Sequence, residues 1–377
     1  MASELSTTLP PVIITNILCR LPAKSVGRFR CVSKDWLSQL SSYKFIKNHE
    51  STLNQKHVIF NSLFELSLYT IPFNPHEKIP KKLRYRLWFQ HFHGCCNGLV
   101  SWSAAFLNEN YMLRHIIINP TTKEIARLPV SGDEIIDGIS NGKIVYGFGY
   151  DSLTDDYKVV TISNIHRDNL VNVDVTMRVH VFDAGVFSNG FLHWLEINDN
   201  KHLGNIVAFS LLDEKFNEMT IPKIDFVYDK NCKLIDLGGK FGLFLEQKRE
   251  VWLMNEYGVN ESWTKILLHG FNETRMIFRP MIFGYNGKFM VVGKNRRFIY
   301  DVEGSFSENV EISHNFHLIV VGSYVESLVS PQSLQGVTEG TLNLNSGGST
   351  LASVESGDPT SLEDFLQTFL QVVGRLV

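Results

Sequence analysis

Along this chain apolar residues first recur at helical spacing, up to Leu40, and from about residue 90 onward they come in short runs broken by Gly, Asn and Asp. The two patterns predict a helical start and a long β-region. After Pro10-Pro11, which suits a first helical turn, Ile13, Ile14, Ile17, Leu18 and Leu21 sweep about 140° of one helix, with Val12 lying apart. Pro22 closes it. In the next stretch Val26, Phe29, Val32, Trp36, Leu37 and Leu40 sweep about 140° again, while Lys24, Arg28, Arg30 and Lys34 stand outside that arc. A segment of about 40 residues seldom buries enough surface to fold alone, and each Leu, Ile or Phe left in water forfeits roughly 1.5 to 3 kcal/mol. These helices therefore need cover. Either the rest of the chain supplies it or another polypeptide does, and a lasting protein interface is the more economical reading.

The β-region repeats. Gly98-Leu99-Val100-Ser101-Trp102, Gly147-Phe148-Gly149-Tyr150, Gly190-Phe191-Leu192-His193-Trp194, Gly239-Lys240-Phe241 and Gly287-Lys288-Phe289 begin 49, 43, 49 and 48 residues apart. Each glycine is read as opening a strand. A second aliphatic run ending in a polar turn residue follows in each unit, as at Ile116-Ile117-Ile118-Asn119 and Val251-Trp252-Leu253-Met254-Asn255. Three or four strands per ~45 to 50 residues is the period of a β-propeller blade. His57 to Tyr69, with its own alternation, is a further blade or the closing strand.

Charge and cysteine content narrow the classes. A net charge of -3 over 377 residues argues against a general polyanion binder. Residues 1 to 50 carry seven Lys and Arg against three Asp and Glu, a local +4 mixed with apolar residues and thus protein-facing. Five cysteines without metal-ligand spacing fit a reduced compartment, cytoplasmic or nuclear. No run approaches the ~20 apolar residues of a membrane span and no signal core opens the chain. Catalytic motifs are missing as well: there is no H-E-x-x-H, C-x-x-C, G-x-S-x-G or phosphate loop, and no cofactor is expected. His193 beside Trp194 reads as a hydrogen-bonded blade residue and Asp155-Asp156 as a turn. Trp102, Trp194, Trp252 and Trp263 read as core packing rather than a sugar-stacking surface.

The residues also carry a resemblance. Leu9-Pro10, Ile17 through Val26, Arg28-Phe29-Arg30-Cys31-Val32-Ser33-Lys34, Trp36, Phe45-Ile46 and His49 resemble a plant-type F-box, with Val12 where that family prefers an acidic residue and Gly27 where it prefers a bulky aliphatic. The resemblance implies a three-helix module that grips a Skp-type adaptor and, through it, a cullin ubiquitin ligase. Gly94-Cys95-Cys96-Asn97-Gly98-Leu99, Asn119-Pro120-Thr121-Thr122-Lys123, Gly147-Phe148-Gly149-Tyr150-Asp151, Asp155-Asp156-Tyr157-Lys158 and Tyr324-Val325-Glu326-Ser327-Leu328-Val329 are similar to the plant F-box-associated domain, whose subgroup includes kelch-like members. That domain recruits substrates. By comparison with the family, some 25 to 30 residues between Asp183 and Gly190 are missing, which predicts an incomplete blade with open strand edges.

The expected fold is α+β and multidomain. A small three-helix F-box (1–50) leads through a connecting segment with the first strands (51–93) into an all-β propeller-like domain of five to six blades, one incomplete (94–331). A flexible Ser/Gly-rich linker (332–358) and an amphipathic helix (359–377) close the chain. The expected function is that of a non-catalytic substrate receptor of a Skp/cullin/F-box ubiquitin ligase, with a protein target and neither nucleic acid nor membrane insertion. Leu9, Pro10, Leu18, Leu21, Pro22, Val26, Val32 and Trp36 are assigned to the adaptor surface or its direct support, with Lys24, Arg28 and Lys34 at its rim. The alternative is a carbohydrate- or small-ligand-binding propeller with a degenerate F-box.

Overall fold

The computed structural model describes residues 10–42, 44–46, 48–49, 56–62, 67–74, 76–83, 85, 87–106, 113–128, 144–163, 184–197, 203–222, 232–237, 239–269, 281–285, 288–292, 296–301, 303–312, 318–333 and 339–343. Three short helices come first: α1 (Pro11–Cys19), α2 (Ala23–Phe29) and α3 (Lys34–Leu40). Every other long element is a strand. Blade 1 holds β1 (Lys56–Ser62), β2 (Leu68–Pro72) and β3 (Lys81–Leu83). Blade 2 holds β4 (Leu87–Cys96), β5 (Leu99–Phe106), β6 (Leu113–Ile118) and β7 (Ile125–Arg127), and blade 3 begins with β8 (Ile144–Asp151) and β9 (Asp156–Ser163). In blade 4 lie β10 (Val186–Ser188), β11 (Phe191–Ile197), β12 (Leu203–Ser210) and β13 (Phe216–Met219). Blade 5 has β14 (Cys232–Asp236), β15 (Phe241–Leu245), β16 (Glu250–Met254) and β17 (Trp263–Leu267). Blade 6 has β18 (Met281–Tyr285), β19 (Lys288–Val292), β20 (Arg296–Tyr300) and β21 (Phe306–Glu311), after which β22 (Leu318–Val325) and β23 (Glu339–Asn343) end the described chain.

The ring closes by mixing its two ends. β22 pairs antiparallel with β1, His57 opposite Tyr324 and Phe60 opposite Val320, so the first blade takes a strand from far down the chain. Among the described residues the result is five four-stranded sheets and one of three strands. Six apolar clusters then seal the six seams between neighbouring blades. Ile59, Leu68 and Leu83 meet Trp102 and Ile116 between blades 1 and 2, and Leu99 and Ile117 meet Phe148 and Val159 at the next seam. Val160 packs on Trp194 and Phe209, Ile206 on Phe241 and Leu243, and Val251 on Val291 and Tyr300. Met290 and Ile299 return to Val58, Phe60 and Ile71 of blade 1. β15 is buried along its whole length and β19 and β20 at every residue but the first, which is why these strands read as continuous apolar runs, whereas β22 alternates.

The glycine pattern has two physical origins. Asn97-Gly98 (φ 46° and 76°) and Asn189-Gly190 (φ 52° and 84°) form turns with both central residues at positive φ, the hairpin geometry that Asn-Gly favours. Gly147 differs from them. It lies inside β8 rather than before a strand, and a Cβ there would stand 2.8 Å from the Trp194 ring of the next blade. Close approach, not turn chemistry, fixes that glycine, and blade 3 turns instead at Asp155 (φ 54°), after Asp151 has accepted from the Leu153 N–H. Gly287 falls outside the described residues.

Among the described residues the sheet with three strands is that of blade 3, β23-β9-β8. Its short neighbour segment, Ala184 to Asn189, supplies the three-residue strand β10 of blade 4. The missing stretch before Gly190 predicts open strand edges, but the β9 edge of blade 3 is covered: β23 pairs with it in parallel, Glu339 opposite Val159 through Asn343 opposite Ser163. Thus part of the segment read as a linker is a strand. The helix expected over 359–377 belongs to a separate unit, Asn345–Val377, that lies outside the described residues.

One local weakness is correctable. Gly27 sits in the middle of α2, and a Cβ added there meets nothing within 4 Å. Gly27→Ala is expected to raise stability by about 0.4 to 1 kcal/mol through lost unfolded-state freedom and better helix propensity. Urea unfolding of the two chains measures it.

Candidate functional site on the N-terminal helices

Prolines and one serine set the helix starts. Pro10 (φ -51°, ψ 139°) precedes α1 and Pro22 (φ -53°, ψ 142°) precedes α2, so Pro22 both stops one helix and begins the next. The stretch from Val26 to Leu40, read from its periodicity as one helix, is two. Ser33 breaks it, because its Oγ accepts the Trp36 N–H at 3.1 Å and caps α3, with Asp35 in the first turn. Val32 therefore falls in the turn between α2 and α3 instead of on a shared apolar face.

Two apolar surfaces result, one inward and one outward. Leu18, Cys19, Ala23, Val26, Leu40 and Phe45 form a small core, closed by Leu328 from just beyond β22. Ile14, Leu21, Phe29, Trp36 and Ile46 pack around it, Phe29 and Trp36 with ring centroids 5.8 Å apart. His49 donates from Nε2 to the Leu21 carbonyl at 2.8 Å and stacks on Phe45, and burial lowers its pKa below the usual histidine value. Arg30 donates from Nη2 to Leu40 O (2.9 Å) and Leu328 O (3.2 Å).

A second apolar set on the helices is exposed among the described residues. Val12 is 70% exposed, Val32 64%, Leu37 49%, Ile17 48% and Ile13 44%. Five large aliphatics within about thirty residues thus face solvent. Lys24, Arg28 and Lys34 are exposed beside them, as are Pro10 and Pro22. The residues assigned from sequence thus divide. Val32, Pro10, Pro22, Lys24, Arg28 and Lys34 are at the surface, Leu21 and Trp36 are half-buried, and Leu18 and Val26 lie in the intrachain core beneath it. Leu9 lies outside the described residues.

Ile13, Ile17 and Leu37 are the exposed residues that sequence reasoning passed over. The signal was present: Ile13 and Ile17, four apart, make a second stripe on α1 beside Ile14 and Leu18, and Val12 stood outside the first arc. A helix apolar on two sides needs two partners.

The remaining candidates are structural. His193 is fully buried between the Val186 carbonyl (Nδ1, 3.0 Å) and the Tyr257 hydroxyl (Nε2, 2.7 Å). Asp155 and Asp156 belong to the β8–β9 turn, where Tyr150 donates to Asp155 and the Asp156 carboxylate accepts its neighbour's N–H. Trp102 and Trp194 are 1% exposed, so neither offers a ring face to a sugar. Among the described residues no group of three His, Cys, Asp or Glu is placed to hold a metal ion, and no helix is long and apolar enough to cross a membrane.

Comparison with known proteins agrees with this division of the chain. Residues 7–48 match the F-box domain and residues 46–295 the F-box associated beta propeller domain. F-box protein CPR1 of Arabidopsis thaliana is 28% identical over 309 residues, covering 69% of this chain and 72% of the relative. F-box/kelch-repeat protein At3g23880 of the same plant is 28% identical over 301 residues, covering 69% of this chain and 79% of that one. With three short helices leading into a six-seamed ring, and both segments matched, the chain belongs to the F-box proteins that carry an F-box-associated β-propeller domain.

Proposed function

We propose that this chain is the substrate-recognition subunit of a Skp/cullin/F-box ubiquitin ligase. Its outer helical face holds a Skp-type adaptor, the adaptor brings the cullin, and the propeller presents a protein target. Chemistry occurs elsewhere in the assembly. The observation that carries the reading is the one-sided burial of the helices: Leu328 completes the inner core while Val12, Ile13, Ile17, Val32 and Leu37 stay in water. An isolated domain would not retain that outer face, because each aliphatic left exposed forgoes roughly 1.5 to 3 kcal/mol of burial. The local positive charge at Lys24, Arg28 and Lys34 suits an acidic partner and acts mainly on encounter rate and salt dependence. A cytoplasmic or nuclear setting goes with this reading, in keeping with five free cysteines.

The test is adaptor capture by the full chain. Ile13→Asp with Ile17→Asp is expected to weaken binding of a Skp-type adaptor by about a hundredfold or more, with the unfolding transition of the β-domain unchanged, since both side chains are outside the core. A wild-type chain that captures no adaptor, or a double variant that captures it equally well, overturns the assignment.

A further inference from the structure

Residues 326–330 run between the helices and blade 2, and their three central carbonyls are claimed from opposite sides. Asn119, at the end of β6, is fully buried and donates from Nδ2 to Ser327 O at 3.0 Å and to Val329 O at 2.8 Å. Its Oδ1 is engaged too, accepting the N–H groups of Thr121 (2.8 Å) and Thr122 (3.2 Å) and so fixing the turn that carries it. The carbonyl between, that of Leu328, faces the other way and accepts from Arg30 of the helices at 3.2 Å. The Leu328 side chain follows it into the helical core, where 1% of its surface remains exposed. Thr121 Oγ1 and Ser327 Oγ hold the same strand of backbone at Ser327 N (3.3 Å) and Val329 N (3.1 Å). Gly98 leaves room for it: a Cβ at that position would overlap Ser327.

We infer that Asn119 is a positioning residue for the adaptor-binding surface: by gripping the carbonyls on either side of Leu328 it aims that side chain into the helices and locks them to blade 2 in one orientation. This rests on the receptor reading for its functional consequence. A receptor that must hold a target at a set distance from the conjugating machinery gains from such a lock, because a helical module on a loose tether would spread its target over many orientations. Alternation along an extended strand makes the device possible, since successive carbonyls point to opposite sides.

Asn119→Asp in the full chain is the informative change. The retained Oδ1 still caps the turn, while the replaced amide now sets a carboxylate oxygen against two carbonyl oxygens. Three readouts are taken on wild type and variant: amide exchange of α1 to α3, the distance distribution between spin labels at Lys34→Cys and Lys248→Cys in a Cys31→Ser background, and affinity for a Skp-type adaptor. Losing two hydrogen bonds from a buried side chain is expected to speed exchange of the helical amides roughly tenfold or more, to broaden the distance distribution, and to weaken adaptor binding by about the same factor, with exchange in blades 4 to 6 unchanged. Unchanged helical exchange and an unchanged distance distribution overturn the lock, as does a variant whose helices and distant blades loosen together, which would make Asn119 only a stabiliser of its turn. If wild type fails to bind adaptor, the receptor reading falls while exchange and distance still decide on the lock.

Discussion

Arg297→Ala is expected to destabilise the propeller by roughly 3 to 5 kcal/mol, one of the largest losses available from a single side chain outside the apolar seams. Arg297 lies on β20 of blade 6 and none of its surface is exposed. From there the guanidinium crosses to blade 1, donating from Nη1 to Pro72 O (3.0 Å) and Asn74 O (3.1 Å), and from Nη2 to Glu77 O. The first of these carbonyls ends β2 and the other two lie in the connection between β2 and β3. Truncation would remove the donor to three carbonyls and leave a cavity at the seam between blade 6 and blade 1, whose sheet β1 and β22 close. Arg297→Lys should recover only part of the loss, because a single ammonium cannot span acceptors that the planar fork reaches together. Urea unfolding of the three chains gives the comparison. An alanine variant within about 1 kcal/mol of wild type would mean that water substitutes for the guanidinium, and the seam would owe its stability to its aliphatic residues alone.

How much of this was legible in the sequence follows from the range of each interaction. Local chemistry reads well: Pro10 and Pro22 mark helix starts, Asn97-Gly98 and Asn189-Gly190 mark hairpins, and aliphatic runs mark strands covered on both faces. The repeat gave the propeller for the same reason, since each blade is a local unit met again and again. Non-local events do not read. Nothing in the run Val26 to Leu40 says that a serine cap will outweigh an unbroken apolar arc, yet Ser33 does so and puts Val32 in a turn. Gly147 looked like the other repeat glycines and proved to answer to Trp194 of the next blade. The same limit applies to the helices. Leu18 and Val26, assigned to the adaptor surface or its direct support, lie in a core that Leu328, some three hundred positions away, closes, while Ile13, Ile17 and Leu37 are exposed. The covering of β9 by β23 could be read from no local pattern either.

Those long-range contacts also decide how the molecule responds to acid. Two histidines are built into the ring in neutral form. His193 donates Nδ1–H to the Val186 carbonyl, which leaves its Nε2 lone pair to accept the Tyr257 O–H, and it stacks on Phe241 with centroids 4.2 Å apart. Burial pushes its pKa down to about 4. His93 is held between Ser101 Oγ (2.9 Å) and Ser103 Oγ (2.7 Å) and stacked on Tyr146 at 4.2 Å, and burial, with His115 and His91 nearby, keeps it well below the ordinary value. The unfolded chain takes up a proton at each site near pH 6.5, whereas the folded chain does not. Stability is therefore complete above about pH 6.5 and drains away as pH falls through the window down to the folded value near 4. From His193 alone the loss is about 2 kcal/mol by pH 5 and roughly 3 kcal/mol by pH 4, and His93 adds to it with the same sign. The urea midpoint should stay level from pH 7.5 to about pH 6.5 and drop steadily from there to pH 5, with conversion of His193 to a residue that cannot titrate, His193→Gln, flattening the slope while lowering stability at neutral pH through the imperfect fit. A midpoint that stays level across that range would show that the folded ring accepts these protons, and hence that blades 2 and 4 open to solvent far more readily than their packing implies.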